Sequence, residues 1–396
     1  MANHYVREGA AGSADGSDWT NAWTDLPATL TRGDTYYIAD GTYGAYAFDD
    51  AASGSLYIYI RKATTSDHGT ETGWSSSYGD GQATFTSASA AVWDIRCPYL
   101  DFDGVVGSLY TGHGIRVYAQ STDEYQVAVT CGNGYTVNHI VSKHIEFQGP
   151  GWGTGAGRLW WSNSVTARDY FVWQYCYFHG ANQAWLSCGA NHTNSLIEYN
   201  WFEDFGSNNA SYHSAGIIWG SGEAVTMNLI VRYNMFKNAR GPSGLSTWIE
   251  PQGTGGNYLY FYGNVFWSTV DVESPLGIWW YTSADSGQHI YFYNNTIYGL
   301  QGSNGCGLGS NETLTDAVVC NNLWLNCEYA PAFSGGWSDV TNEKNTGASS
   351  LVNPTSGDFH LSGETAAGTD LGASFNIDPD GVTRGAGAGW DMGTYE

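Results

Sequence analysis

Short runs of alternating apolar and polar residues recur along the chain. Each is too short for a helix, and no period of about 3.6 residues joins them. Five line up: LIEYNWF (196–202), LIVRYNMF (229–236), YLYFYGNVF (258–266), HIYFYNNTIY (289–298) and AVVCNNLWL (317–325). In each, β-branched or aromatic residues alternate up to an asparagine, and a bulky apolar residue stands two positions beyond it. The asparagines are Asn200, Asn234, Asn264, Asn295 and Asn322, spaced by 34, 30, 31 and 27 residues. FVWQYCYF (171–178) fits the frame with Cys176 in the asparagine slot, and HIVSKHIEF (139–147) and YLDFDGVV (99–106) are looser copies.

A unit of roughly 30 residues with two or three short strands and Gly/Ser/Asn-rich turns predicts one coil of a β-solenoid. Coils stack about 4.8 Å apart, so equivalent positions form columns along the axis. An asparagine column suits such a turn, because each amide can donate to one neighbour and accept from the other, satisfying polar groups away from water. Tyr175, Tyr199 and Tyr233 predict a tyrosine column beside it. The expectation is an all-β chain forming a single right-handed parallel β-helix over 1–396. Residues 1–45 would make the cap and first coil, 46–350 the coils, and 351–396 a closing segment.

Both ends carry a resemblance to a known family. HYVREGAAGSADGSDWTNAWTDLPATLTRGDTYYIADGTY resembles the opening of pectate-lyase-like β-helix proteins, in which a short amphipathic helix precedes a strand ending in a D-G-T-Y turn. That implies a capping helix over about Asn21 to Leu30, covering the open edge of the first coil against strand addition. At the other end, IDPDGVTRGAGAGWDMGTYE is similar to the close of the same superfamily, with its Asp-Gly turn, arginine and D-x-G-x-[YF]-E ending. The resemblance is specific for fold. It leaves activity open, because the fold hosts lyases, hydrolases, epimerases, viral tailspikes and adhesins.

Charge narrows the partners. Fourteen Lys+Arg against 38 Asp+Glu leave a net charge of −24. Such a surface repels nucleic acid and anionic membrane, and repels a polyuronate unless a cation or local basic patch intervenes. The same acidity keeps an aromatic-rich chain soluble. No run of eighteen apolar residues would span a membrane. MANHYVREGA has no apolar core of a signal peptide, so an extracellular or virion location implies export by removal of a leader, lysis or particle assembly. The seven cysteines show no zinc-ligand spacing. Cys320 and Cys327 are close enough in sequence to bridge, and buried thiols filling a core are the other reading.

Two sets of residues carry candidate chemistry. Tryptophans mark a second strand in each coil: Trp160 and Trp161, Trp185, Trp219, Trp248, and Trp279 with Trp280. Adjacent strand residues face opposite ways, so each Trp-Trp pair sends one indole outward. Trp161, Trp219, Trp248, Trp279 and Trp280, with Glu250, would form a platform for sugar rings, or else lie inside as ladder residues. The second set follows the asparagine strand: His179, then Glu203 and Asp204, then Lys237 and Arg240, then Asp271 and Glu273. His179, Glu203 and Lys237 each stand three residues past the column, so they predict neighbours in a stack, with His213 beyond that turn. Paired carboxylates would hydrolyse a glycosidic bond. A lysine or arginine base beside Asp/Glu-held Ca²⁺ would instead eliminate across a uronate. The bland alternative is a solvated, charge-balanced turn.

Other matches fail on context. Gly112-His113-Gly114 lacks the accompanying N-T-D of polygalacturonases and reads as a Gly-flanked turn. Lys143 with Arg158 or Arg168 is the nearest pair to an alginate-lyase-like lysine and arginine, without a recognisable motif around it. Asp378-Pro379-Asp380-Gly381 resembles a calcium turn but belongs to the closing signature. The function expected is engagement of a polysaccharide along the side of the helix, with cleavage by hydrolysis or elimination. The rival is a non-catalytic tailspike, receptor-binding element or adhesin, a class that is often a homotrimer.

Overall fold

The fold is described from a computed structural model covering all residues except 90, 122–126, 152–156, 164–167, 190–191, 207–214, 220–227, 240–244, 250–256, 270–276, 281–287, 301–307, 311–313, 315, 334, 346–349 and 386–388. Its strands form three long parallel sheets of 12, 11 and 9 strands, each built from one strand per coil. One coil shows the path. Arg168–Gln174 lies in the first sheet, Tyr175 and Cys176 turn the corner, Tyr177–Ala181 enters the second sheet and Ala184–Gly189 the third. The next first-sheet strand, His192–Glu198, then pairs in parallel with Arg168–Gln174, Phe171 opposite Ser195. The chain is a right-handed parallel β-helix, the hand that parallel crossovers adopt.

The corner between the first and second sheets carries the asparagine column. Asn200, Asn234, Asn264, Asn295 and Asn322 are each at most 1% exposed. Each amide donates to the next oxygen at 2.9–3.0 Å, and the column extends to Asn342. The residue before each column position is left-handed, with φ of 54° at Tyr175 before Cys176, 55° at Tyr199 and 58° at Tyr233. That conformation costs an L-residue roughly 1–2 kcal/mol. Stacking of His144, Tyr175, Tyr199 and Tyr233 at 5.1 Å between successive rings helps offset it. The stack ends at Gly263, where a Cβ would come within 2.6 Å of the Tyr233 ring.

The bulky residue two past the asparagine points inward. Phe147, Phe178, Phe202, Phe236 and Phe266 stack at 4.7–4.8 Å through the core. Among the described residues six cysteines are buried thiols, and no disulfide joins Cys320 and Cys327. Burial raises the Cys131 and Cys176 thiols to about 12, so they fill space rather than react.

The expected capping helix is absent. Residues 21–30 run as irregular backbone, with Trp23 bridging Val6 in parallel and donating its N–H to the Tyr5 carbonyl at 3.0 Å. Leu26 and Leu30 drop into the core from that segment. Pro27 explains the difference, because it disfavours a helical Leu26 and cannot donate within a helix. The single bridge at Trp23, with Leu26 and Leu30 in the core, is what this segment places against the first coil.

Residues 351–396 run back along the outside. Leu351–Asn353 and Asp358–Leu361 form an antiparallel pair, and Phe359 packs 5.1 Å from Trp267 on the second sheet. The tail then crosses the asparagine corner. The Gly393 N–H donates to the Asn321 carbonyl at 2.8 Å, the Thr394 hydroxyl to the Asn264 carbonyl at 2.8 Å, and the Tyr233 hydroxyl to the Ile377 carbonyl at 2.8 Å. Asp378 anchors it, its carboxylate accepting the N–H groups of Asp380, Val382 and Glu396 at 2.8–3.1 Å. The calcium-like turn therefore has its carboxylate occupied by backbone. Among the described residues no helix is long and apolar enough to cross a membrane.

Candidate functional site

The charged row on the second sheet is a true stack. His179 lies opposite Glu203, and Glu203 opposite Lys237, on the outer face because Phe178, Phe202 and Phe236 beside them point inward. The Lys237 ammonium pairs with one oxygen of Glu203. The other oxygen accepts the Trp201 indole N–H at 2.9 Å and the Tyr177 hydroxyl at 3.3 Å. Lys237 also lies 5.2 Å from the centre of the Trp267 ring. Trp201 and Trp267 belong to a cluster with Phe359 of the returning segment. Glu203 therefore has three donors, and the face beside it is covered by the chain's own C-terminal part.

His179 turns toward the earlier coil, with Nε2 2.9 Å from Glu146, whose other oxygen accepts the Gln82 amide at 2.7 Å. Burial opposes the charge on Glu146, but the His179 and Gln82 hydrogen bonds outweigh it and hold its carboxyl below the usual range. His113 is 4% exposed and its Nε2 donates to the Tyr175 carbonyl at 3.0 Å. It braces the turn and is held neutral by burial. Asp204 follows Glu203 in a left-handed conformation, φ 47°, where the chain leaves the second sheet for the segment that contains His213.

The third sheet carries the tryptophans. Trp160 is buried and Trp161 partly exposed, the division that alternation requires. The Arg158 guanidinium lies 5.4 Å from the Trp161 ring centre. Register places Trp161, Ser187, Ile218, Trp248, Trp279 and Gly309 in one row across successive coils. The adjacent row runs through Ser162, Cys188, Trp219, Ile249 and Trp280. Trp219 is wholly buried, 4.8 Å from His192 and 6.0 Å from Trp173, so it is a core residue and not a platform member. Sequence alternation could not separate the rows for an unpaired tryptophan; the register decides. Trp280 shares the backbone row of Trp219, which sets it apart from the row of Trp161.

His213, Arg240, Glu250, Asp271 and Glu273 lie outside the described residues. In chain order they fall in the segments that bracket the third-sheet strands Ala215–Trp219, Leu245–Ile249 and Gly277–Trp280. Of the alginate-lyase-like candidates, Arg168 is fully buried and donates to the Cys131 and Gly132 carbonyls, while Arg158 binds Gln183 at 2.8 Å on the third sheet. Lys143 lies on the first sheet opposite Gln174, at the far end of that strand from Arg168 and on a different sheet from Arg158. Among the described residues no cluster of three or more metal-ligating side chains exists.

No family model matches the chain, and no curated protein matches it. Among solved structures, the crystal structure of pectate lyase Pel9A is similar over 100% of this chain and 96% of that one, with a TM-score of 0.62 at 13% identity. The shared fold is the parallel β-helix. At that identity the likeness concerns fold alone, and the coil architecture expected from the sequence agrees with it.

Proposed function

We propose that this β-helix engages a polysaccharide along its side and cleaves it, with the outer row of the third sheet as the surface that holds the sugar chain. The observation that carries this reading is the outward Trp161 and the row it shares in register with Trp248 and Trp279. An outward indole such as that of Trp161 suits the apolar face of a pyranose ring, and its N–H suits a hydroxyl. The bracketing segments bring His213, Arg240, Glu250, Asp271 and Glu273, with Asp204 at the entrance to one of them. These are the groups to which we assign acid–base work or Ca²⁺ binding. Glu203 and Lys237, saturated by each other and by Trp201, are assigned to holding the face together. The resemblance in fold to a pectate lyase supports a polysaccharide as substrate.

A panel of neutral and acidic polysaccharides, with and without Ca²⁺, tests this by two readings. Reducing ends with ultraviolet absorbance of an unsaturated product mean elimination; reducing ends alone mean hydrolysis. Trp161→Ala should lower either rate at limiting substrate. Retention of glycan with no product would replace cleavage by a second reading, a non-catalytic binding element such as a receptor-binding spike or adhesin. The occupied Glu203–Lys237 pair favours that alternative, because the acid–base pair most visible in the sequence is engaged with itself and with Trp201.

A further inference from the structure

The outer face of the first sheet, remote in sequence register from the tryptophan row, holds a groove of about 290 Å³. Its floor follows one column of the sheet: Tyr59, Asp101, Val141, Val172 and Leu196, one residue per coil. Tyr57 and Tyr170 line one wall, the two ends of a ladder of aromatic rings where the chain enters the first sheet. Tyr57 meets Tyr99 at 5.4 Å, Tyr99 stacks on His139 at 4.6 Å, and His139 on Tyr170 at 5.5 Å. Tyr170 is 45% exposed despite its size. The opposite wall contains Lys143 and Gln174.

Lys143 is distinctive. The chain has four lysines. Lys62 pairs with Asp40, Lys237 with Glu203 and Lys344 with Asp339. The Lys143 ammonium pairs with no carboxylate among the described residues, in a protein with 38 of them. Its register neighbours are engaged elsewhere: Asp103 with His144 at 2.8 Å, and Gln174 with Glu198. Asp101 on the floor is neutralised by Arg61 at 2.9 Å. A partly buried ammonium with donors unspent, between tyrosine rings and a mixed floor whose one carboxylate is already paired, awaits an anion presented on a ring-shaped, hydroxyl-rich body.

We propose that this groove is a second carbohydrate site and that it takes an acidic glycan, one uronate carboxylate on Lys143 with adjoining rings against Tyr170 and Tyr59. The groove runs along the axis, and the coil spacing of about 4.8 Å is close to the rise of one residue in an extended glycan. A chain laid there meets one sheet position per sugar. A single lysine suits one carboxylate per segment, whereas the surrounding −24 charge disfavours a polyphosphate. The local cation that an acidic glycan requires on so acidic a surface is thereby supplied. The inference rests on the chain being glycan-engaging, but on a different face from the tryptophan row.

Calorimetric titration of the full chain with galacturonate, mannuronate and glucuronate oligosaccharides, and with their methyl esters, tests it. At least one uronate should bind, and esterification, which removes the charge and keeps the ring, should weaken it about tenfold or more. Lys143→Gln should produce the same loss with the acid and none with the ester. Tyr170→Ala should weaken both. Lys143 is at the surface, so an unchanged circular dichroism spectrum certifies the variant. Binding indifferent to Lys143→Gln, binding indifferent to esterification, or no uronate bound at all would each overturn the proposal. Trp161→Ala separates the two faces. If it abolishes uronate binding and Lys143→Gln does not, the groove is wrong and the tryptophan row stands. If only Lys143→Gln weakens binding and Trp161→Ala changes neither binding nor cleavage, the groove stands and the tryptophan row fails.

Discussion

The Asn200 amide donates to Asn234 Oδ1 at 3.0 Å, and that same oxygen accepts the backbone N–H of Asn200 at 3.0 Å. One oxygen thus satisfies two donors of the coil before it, while the Asn234 amide donates to the Ile197 carbonyl at 2.9 Å. Asn234→Ala strands all three groups in a fully buried corner, where each unmet group costs about 1–3 kcal/mol. We expect a loss of roughly 3 kcal/mol or more, read as a lower midpoint in urea. Asn342→Ala, in the partly buried last rung of the column, should cost about 1 kcal/mol.

Much of this frame is legible in the sequence because a solenoid repeats its environment. Asn200 and Asn234 occupy the same turn, so the same residue solves the same problem in each, and the phenylalanine two positions later marks the inner face. What the sequence hides is contact between parts that do not repeat. Trp219 stands alone on its strand, and only the pairing of Cys188 with it assigns it to the core row. The adjacency of Glu203 and Lys237 is readable by counting from the column. Its saturation by Trp201 and Tyr177 is not, since it depends on outward side chains from the same and the preceding coil. Pro27 could have warned against the capping helix. Nothing in the Gly-rich tail announces that Phe359 returns to Trp267.

The saturated pair separates a supporting role for Glu203 from a catalytic one. Glu203→Gln leaves the Lys237 ammonium, mostly covered between Trp201 and Trp267, without a counter-charge. We expect a loss of about 2–3 kcal/mol, with most of it recovered in the double variant Glu203→Gln with Lys237→Met, the signature of a coupled pair. A catalytic Glu203 would instead lose activity by orders of magnitude with stability little changed. Urea midpoints and rates measured on the same variants decide between the two.

Acid should weaken the fold through His113. Burial lowers its pKa from 6.5 to about 4, so the folded chain keeps it neutral where the unfolded chain protonates it. A depressed folded pKa contributes stability that is whole above pH ~6.5 and is lost as pH falls toward about 4. The difference amounts to roughly 3 kcal/mol from this residue. His113→Gln, which retains a donor for the Tyr175 carbonyl, should flatten the stability profile between those limits. An unchanged slope in urea titrations across that range would show that the ring is hydrated and free to protonate.

The returning C-terminal segment covers aromatic surface on the flank of the helix. Phe359 is 1% exposed against Trp267, and Phe375 lies 5.0 Å from Tyr262 and 5.2 Å from Tyr293. A chain ending at 350 would leave Trp201, Trp267, Tyr262 and Tyr293 facing water on two adjacent sheets, an apolar expanse of the kind that drives association. We expect that truncated chain to bind a hydrophobic dye and to self-associate, with its coils still giving a β-rich far-ultraviolet spectrum. Phe359→Ala in the full chain removes the central contact alone and should cost about 3 kcal/mol. The measurement is dye fluorescence beside light scattering: a truncated chain that stays monomeric and dye-free would mean that those rings pack among themselves and that the tail merely rests on them.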